Sequence, residues 1–220
     1  MKLTIAAATG ATGRLVLSGA LSAGHDVTAL VRSPGKLPAG TPAVQADLSN
    51  PDPAALAEAL AGADAVVSAL GATSKAEAGV ATRGTGALIE AMQATGCARL
   101  VALSAAPIGT FPSPARPDKP RTEPNASALD KLGMAIVKRV LREHYEDLAA
   151  MEDLIMDSGL DWTIVRPPQL TDKPATGAYR TVEGAMPRGG IKIARADVAH
   201  AMLAALADPA SSRRVLGVAN

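Results

Sequence analysis

Short apolar runs alternate with amphipathic stretches along most of this chain. Runs such as residues 3–8, 26–31 and 64–71 have the length of strands, and stretches such as 13–23 and 79–95 place apolar side chains on one helical face. This alternation is typical of βαβ units around a parallel sheet. We therefore predict an α/β fold over residues 1–220 as a single domain: a Rossmann-type, doubly wound parallel sheet with a small C-terminal lobe on the substrate side.

The same patterns give the order of the predicted elements. Strands are predicted over residues 3–8, 26–31, 41–47 and 64–71, from Ala98, from Trp162 and near Val215. Helices are predicted over residues 13–23, from Pro53 behind a capping Asp52, over 79–95, over about 129–157 and from Arg195. In the long fourth helix the apolar positions predict a buried stripe, formed by Val140, Leu141, Leu148, Met151, Leu154 and Ile155.

In two segments the apolar residues do not recur at the spacing of a helix or a strand. Residues 107–128 are crowded with prolines and are predicted to form a loop, and residues 166–194 are predicted to be irregular. A loop as long as the first is usually functional in a compact fold, and it follows a strand end, where open α/β sheets bind ligands. We therefore expect both segments on the substrate side, with the proline-rich one either covering the cofactor cleft or disordered without ligand.

Composition disfavours several classes of function. A net charge of +1 gives no field to attract nucleic acid or an anionic membrane, and no apolar stretch approaches the ~18 residues of a membrane span. Cys97 is the only cysteine and the three histidines are scattered, so neither a disulfide nor a metal site is predicted. We expect a cytoplasmic protein, monomeric or homodimeric, with a small-molecule substrate and no nucleic-acid or membrane partner.

The run AAATGATG, residues 6–13, joins the first predicted strand to the first helix. Laid on the dinucleotide-binding pattern G-x-x-G-x-x-G, its key positions are Ala7, Gly10 and Gly13. Gly10 would let the backbone approach a phosphate at the helix N-terminus, and Gly13 would allow tight packing of helix on strand. A methyl group at Ala7 costs ~1 kcal/mol or more if φ is positive, so we expect weakened or shifted binding. The predicted phosphate-binding residues are Ala7, Thr9, Gly10, Ala11, Thr12 and Gly13, although such a turn can also simply connect a strand to a helix.

The end of the second predicted strand indicates which dinucleotide would bind. Sites selective for NAD place a carboxylate there, on the ribose 2′-hydroxyl. This chain has Arg32 and Ser33 instead, with Lys36 close behind. A guanidinium can pair bidentately with a 2′-phosphate, so the sequence favours NADP(H). The alternative is that Arg32 is an ordinary exposed residue.

Six runs, taken together and in order, resemble the atypical short-chain dehydrogenase/reductase family, in particular its NmrA-like and biliverdin reductase B-like NAD(P)H-binding members. They are AAATGATGRLVL, HDVTALVRSPGKL, QADLSN, DAVVSALGAT, LVALSA and SGLDWTIVRPPQLTD. The resemblance covers most of the chain. The family normally has glycine at the position of Ala7, which leaves the affinity for the cofactor open.

The resemblance implies a role for several strand ends. Asp47 and Leu48 would border the adenine, and Leu70 and Gly71 would pass beside the pyrophosphate and ribose. Ser104 would lie beside the nicotinamide, and Pro167, Pro168 and Gln169 would close over it. Each position also has an ordinary explanation, since Asp47 could cap a turn, Ser104 could satisfy the backbone and Arg166 could be structural.

The catalytic Tyr-x-x-x-Lys pair of the broader dehydrogenase family is absent. Counted back from SGLDWTIVRP, its positions fall on His144 and Leu148, and Tyr145 has Ala149 four residues on. The remaining catalytic candidates are Ser104, His144 and Tyr145, of which the last two would have to face the cleft. An ordinary, partly buried role is the alternative for His144.

Two functions fit these observations, and a sugar-nucleotide epimerase is a weaker third option because such enzymes rely on the tyrosine that is missing here. The first is an NADPH-dependent oxidoreductase that transfers hydride to an electron-poor acceptor, such as a flavin, a quinone or a linear tetrapyrrole, which needs no strong proton donor from the protein. The second is a non-catalytic NADP(H) binder that reports the redox state to a partner, as NmrA-like regulators do.

Overall fold

The computed structural model describes residues 1–72, 74, 77–122 and 128–220, with only the backbone described from 128 to 132. Within these residues the strands are β1 (Lys2–Ala6), β2 (Asp26–Val31), β3 (Ala43–Gln45), β4 (Ala65–Ser68), β5 (Arg99–Leu103), β6 (Asp161–Arg166), β7 (Gln169–Thr171), β8 (Arg180–Glu183), β9 (Lys192–Ala194) and β10 (Arg214–Ala219). The α-helices are α1 (Gly13–Ser22), α2 (Pro53–Leu60), α3 (Val80–Thr95), α4 (Ala128–Val140), α5 (Arg142–Asp157) and α6 (Arg195–Ala207).

Eight of these strands form one sheet, in the order β3-β2-β1-β4-β5-β6-β10-β8. Neighbouring strands are parallel, except that β8 is antiparallel to β10. A separate parallel pair, β7 and β9, lies in the C-terminal lobe. The strand order changes direction between β1 and β4, the kind of switch point at which open α/β sheets bind ligands. The predicted doubly wound parallel sheet is confirmed.

Helices cover both faces of the sheet. On one face α1 packs against α6 over a core that includes Leu17 and Met202. On the other face α3 packs against both α2 and α5, over residues such as Leu88 and Met151. All of β4 is buried, as expected for a parallel strand covered on both sides. Among the described residues, no helix is long and apolar enough to cross a membrane.

Most predicted elements are confirmed to within a few residues. β2 lies at the predicted residues, and α6 begins at Arg195. The side chain of Asp52 caps α2 as predicted, because its Oδ1 accepts a hydrogen bond from the N–H of Ala54 at 3.0 Å, and Pro53 is the first helical residue. The third strand is shorter than predicted and covers Ala43–Gln45.

The single long helix predicted over residues 129–157 is wrong. The chain leaves helical geometry at Leu141, where φ is −102° and ψ is 24°, and this residue separates α4 from α5. The predicted stripe assumed one continuous helix, so its phase fails before the break, where Val140 and Leu141 are 74% and 42% exposed. On α5 the prediction is also wrong for Leu154, which is 40% exposed and lies beside the buried face of that helix. The other three stripe residues, Leu148, Met151 and Ile155, are buried as predicted.

The two unpatterned segments contain more structure than the sequence indicates. The proline-rich segment begins with a 3₁₀ turn over Ala106–Thr110, and its residues 123–127 lie outside the described residues. The segment predicted to be irregular, residues 166–194, contains β7, β8 and β9. These strands are three or four residues long, too short to produce a clear alternation in the sequence.

The N-terminus of α3 is capped by a side chain from another helix. Its N-cap residue is Gly79, which has φ of 80° and no side chain to donate or accept. Asp147 of α5, which is 7% exposed, instead accepts hydrogen bonds from the N–H groups of Ala81 at 3.0 Å and Thr82 at 2.9 Å. The carboxylate also faces the positive end of the α3 dipole. Asp147 therefore fixes α3 to α5 across one helical layer.

Replacing Asp147 by asparagine should lower the free energy of unfolding by roughly 1–3 kcal/mol, because the variant loses the charge and one of two acceptor oxygens at the α3 terminus. Urea denaturation measures this change. Glu143→Gln, at an exposed position on the same helix, is the matched control and should change stability by less than about 0.5 kcal/mol. Equal, small losses in both variants would contradict the capping role.

Candidate functional site

The predicted cofactor-binding residues follow strands whose carboxyl ends meet at one edge of the sheet. Ala7 follows β1, Arg32 follows β2, and Ser104 follows β5. Backbone hydrogen bonds tie these ends together: the N–H of Ala7 donates to Leu30 at 3.1 Å, and the N–H of Ser104 donates to Val165 at 2.8 Å. The other predicted residues at this edge are Leu70 and Gly71 after β4, Asp47 and Leu48 after β3, and Pro167, Pro168 and Gln169 after β6.

The turn between β1 and α1 depends on close approach of the backbone. Ala7 has φ of +59°, a left-handed conformation that is rare for a residue with a side chain. Its carbonyl oxygen accepts a hydrogen bond from the N–H of Gly10 at 2.9 Å. A Cβ on Gly13 would overlap that carbonyl, and one on Gly10 would lie only 3.3 Å from it. Gly13 therefore allows the tight helix-on-strand packing that the motif predicts, while Ala7 adopts the conformation in which its methyl group is costly.

The first turn of α1 can receive an anion. Thr12 is the N-cap residue, and no side chain caps the helix among the described residues. The backbone enters α1 through Thr9 and Gly10, which are half-buried, and through the exposed Ala11. Free N–H groups and the positive end of the helix dipole are the features that hold phosphate groups at such turns.

The predicted 2′-phosphate residue is engaged with a carboxylate that the sequence did not indicate. Arg32 Nη1 lies 2.6 Å from Glu77 Oε1, with the side chains 56% and 16% exposed. Glu77 lies between β4 and α3, far from Arg32 in sequence. Asp47 is also close to Arg32, but its Oδ1 accepts from both the N–H and the hydroxyl of Ser49, at 2.9 and 2.7 Å. The Ser49 hydroxyl lowers the pKa of this carboxyl, and Asp47 caps its own turn.

At the other end of the site, Ser104 belongs to a buried polar network. Its hydroxyl donates to Glu152 Oε1 at 2.6 Å. The Glu152 carboxylate is fully buried and forms a bidentate ion pair with Arg166, whose Nε donates to Oε1 at 2.8 Å and whose Nη2 donates to Oε2. The Ser104 oxygen keeps lone pairs with which to accept a further hydrogen bond, but its proton is held by Glu152. Arg166 is therefore structural, one of the alternatives considered for it.

The proline-rich segment is held against α5 beside this network. Asp153 of α5 accepts hydrogen bonds from the hydroxyl of Ser113 at 2.9 Å and from Arg116 Nη1 at 2.8 Å. In the same segment the Nζ of Lys119 is buried and has no hydrogen-bond partner among the described residues. Burial lowers the pKa of Lys119, and the charges of Glu152 and Arg166 lie close enough to act on it. This part of the segment therefore lies beside the Glu152–Arg166 ion pair.

The other two catalytic candidates lie in the first turn of α5. Tyr145 is 6% exposed, and its ring packs edge-on against Phe111 with centroids 6.0 Å apart. Burial raises the pKa of its phenol. His144 is half-buried, and burial lowers the pKa of its imidazole. Leu148, which stands where the family has lysine, is 3% exposed in the core. Neither His144 nor Tyr145 shares a described hydrogen bond with Ser104.

Sequence reasoning missed Glu152 and Glu77. Glu152 could have been found, because it falls four residues after Leu148 and three before Ile155, on the predicted buried face of the helix. A carboxylate on such a face needs a buried partner. Glu77 carries no comparable signal, since it lies in a short connection and meets Arg32 only through the tertiary structure.

Comparison with known proteins identifies the class to which the fold and this edge belong. A model of the NAD(P)H-binding family matches residues 7–209, which include the turn at Ala7, so the chain belongs to the NAD(P)H-binding family. NAD(P)H is thus its cofactor. The residues fit that group, because the Gly10–Gly13 turn, the α1 terminus and Arg32 present backbone N–H groups and a guanidinium along one edge.

Solved structures share the fold over the whole chain. A protein from Burkholderia pseudomallei described as exported is 30% identical, with a TM-score of 0.74 and full coverage of both chains. A Streptococcus pneumoniae protein assigned as an NADH-flavin reductase is 22% identical, with a TM-score of 0.78 over 100% of this chain and 99% of that one. An anaerobilin reductase from Escherichia coli is 19% identical, with a TM-score of 0.77 over 100% and 97% of the two chains.

Replacing Ala7 by glycine should raise the free energy of unfolding by about 0.5–1 kcal/mol, because relief of the left-handed strain exceeds the entropy that glycine adds to the unfolded chain. Denaturant melts measure the change, and NADPH affinity should not fall. Ala8→Gly is the matched control: Ala8 is fully buried and has no positive φ, so its variant should be destabilised by about 1 kcal/mol. If both variants lost stability equally, the strain at Ala7 would be negligible.

Proposed function

We propose that this protein is an NADPH-dependent reductase that transfers hydride to an electron-poor acceptor, such as a flavin, a quinone or a linear tetrapyrrole. The observation that carries the proposal is that the usual proton relay is missing: its two positions fall on His144, which is half-buried, and on Leu148, which is 3% exposed in the core. The neighbouring Tyr145 packs against Phe111 in the core. An alcohol or carbonyl substrate needs such a relay, whereas an electron-poor acceptor can take its proton from solvent.

The preference for NADPH over NADH rests on Arg32. It follows β2, where sites selective for NAD place a carboxylate, and its guanidinium can form two parallel hydrogen bonds to a 2′-phosphate. Ser33 and Lys36, which are both exposed beside it, add further donors.

The role we propose for Ser104 is to position the nicotinamide. When bound, NADPH supplies the hydride and its two electrons, and the acceptor gains the accompanying proton from solvent. Because Glu152 holds the Ser104 proton, the hydroxyl can accept a hydrogen bond, for example from a carboxamide N–H, but cannot donate one at the same time. The ion pair of Glu152 with Arg166 fixes that orientation of the Ser104 hydroxyl. Most of the catalytic effect would then come from holding donor and acceptor in a reactive geometry.

A non-catalytic redox sensor of the NmrA-like type is the second candidate. The observation that favours it is that neither candidate hydroxyl is free to donate a proton to a substrate. The Ser104 hydroxyl donates to Glu152, and Tyr145 is buried in the core. A sensor should bind NADPH and NADP⁺ without consuming either.

We further propose that the protein works in the cytoplasm, as a monomer or homodimer, with the proline-rich segment on the substrate side. Cys97, the only cysteine, is buried and free, which suits a reducing compartment. The anchoring of residues 113–116 to Asp153, beside the Ser104 network, supports the position of the loop.

The reductase proposal is tested by mixing the purified protein with NADPH and either FMN or a benzoquinone and following absorbance of the reduced nicotinamide. We expect acceptor-dependent oxidation that is faster with NADPH than with NADH at equal subsaturating concentrations. Selective binding of NADPH without oxidation by either acceptor would favour the sensor instead.

In the same assay, Ser104→Ala should lower kcat/KM about five- to tenfold, the effect of losing one hydrogen bond to the cofactor. Ser211→Ala is the matched control, because Ser211 is also buried and its hydroxyl donates to the carbonyl of Ala205 at 2.6 Å, but it follows α6 and lies outside the predicted site. Its variant should keep kcat/KM within about twofold, on the scale of a change outside the site. Equal losses in the two variants would assign Ser104 a merely structural role.

A further inference from the structure

Glu77 reaches across the strand that carries the glycine-rich turn. It follows β4, whereas Arg32 follows β2, and these two strands flank β1 in the sheet. The ion pair between Glu77 and Arg32 therefore joins the two strand ends on either side of the Ala7–Gly13 turn. This is the edge at which the adenosine half of the cofactor is expected.

The backbone around Glu77 is itself held in place. The N–H of Glu77 donates to the carbonyl of Ser74 at 3.1 Å. One residue on, the carbonyl of Ala78 accepts from Arg83 Nη2 at 3.1 Å. The Glu77 side chain is only 16% exposed, compared with 56% for Arg32. The carboxylate is thus presented to the guanidinium from a fixed position, whereas Arg32 can move toward solvent.

A 2′-phosphate and the Glu77 carboxylate require the same donors. Both are anions that pair with the N–H groups of one guanidinium, and the phosphate carries the larger charge. Asp47, the other acid near Arg32, is bound to Ser49 and does not pair with it. A 2′-phosphate that binds Arg32 must therefore displace the Glu77 carboxylate or lie close to its negative charge. A ligand without that phosphate leaves the ion pair unchanged.

We propose that Glu77 is a specificity-determining residue of the nucleotide site, which competes with the 2′-phosphate of NADPH for Arg32 and so reduces the selectivity for NADPH over NADH. This inference rests on the proposed binding of the 2′-phosphate by Arg32. It predicts that the site discriminates less between NADPH and NADH than it would if Arg32 had no competing carboxylate.

The test is isothermal titration of the full chain with NADPH, NADH and adenosine 2′-monophosphate. Glu77→Gln should tighten the binding of NADPH and adenosine 2′-monophosphate about two- to fivefold, the range for a partly exposed ion pair, and leave the binding of NADH unchanged. Raising the salt concentration should shrink the gain. In an Arg32→Ala background, the substitution at Glu77 should have no effect on any of the three ligands.

Glu146→Gln is the matched control. It removes the carboxylate of another exposed ion pair, with Arg142 Nε at 2.7 Å, on α5. Its nucleotide affinities should equal those of the unmodified chain, and thermal melts should show that all variants are folded.

The outcomes separate the inference from the proposed function. If Arg32→Ala abolishes the preference for NADPH but Glu77→Gln changes nothing, the competition is overturned and the NADPH assignment stands. If Glu77→Gln weakens both nucleotides equally, Glu77 is a ligand of the ribose and the inference is wrong. If Arg32→Ala leaves the preference unaltered, the assignment of Arg32 and the inference both fail.

Discussion

The buried ion pair between Glu152 and Arg166 sets the arrangement of the chain at the carboxyl ends of β5 and β6. A charge without access to water is tolerable only with a close, well-oriented partner, so α5 can lie on the sheet only where its carboxylate meets the arginine at the end of β6. Ser104 on β5 completes the network. Asp153, the next residue of α5, then holds the proline-rich segment. One helix thus positions a strand end and a loop through two successive acids.

At the carboxyl end of β1, close packing of the backbone rather than charge determines how the chain is arranged. The carbonyl of Ala7 lies so close to Gly13 that no side chain fits between them, and this contact seats α1 on β1. Ala7 adopts a left-handed conformation at this close contact. The site therefore keeps the backbone path of a glycine-rich turn although one glycine is missing. This local strain is small enough for the rest of the core to offset.

Much of the fold could be predicted from the sequence because its elements are local. The apolar run at residues 26–31 and the Asp52–Pro53 start of α2 depend on neighbours in sequence, and both predictions are confirmed. The glycine turn and the strand-end arginine are likewise local. The break at Leu141 and the short strands β7 to β9 depend on packing between distant segments, for which the residues carry no period. The Arg32–Glu77 pair is of the same kind, since only the sheet order brings its two connections together.

The position of β10 has a consequence for how the chain can fold. This strand lies between β6 and β8, although β8 precedes it in sequence. During folding, β8 therefore has no strand of this sheet to pair with until β10 is present. Such pairing is non-local and slow to form compared with the βαβ units before it. The βαβ units can thus assemble first, whereas β8 joins the main sheet only when residues 214–219, which follow it in the sequence, are in place.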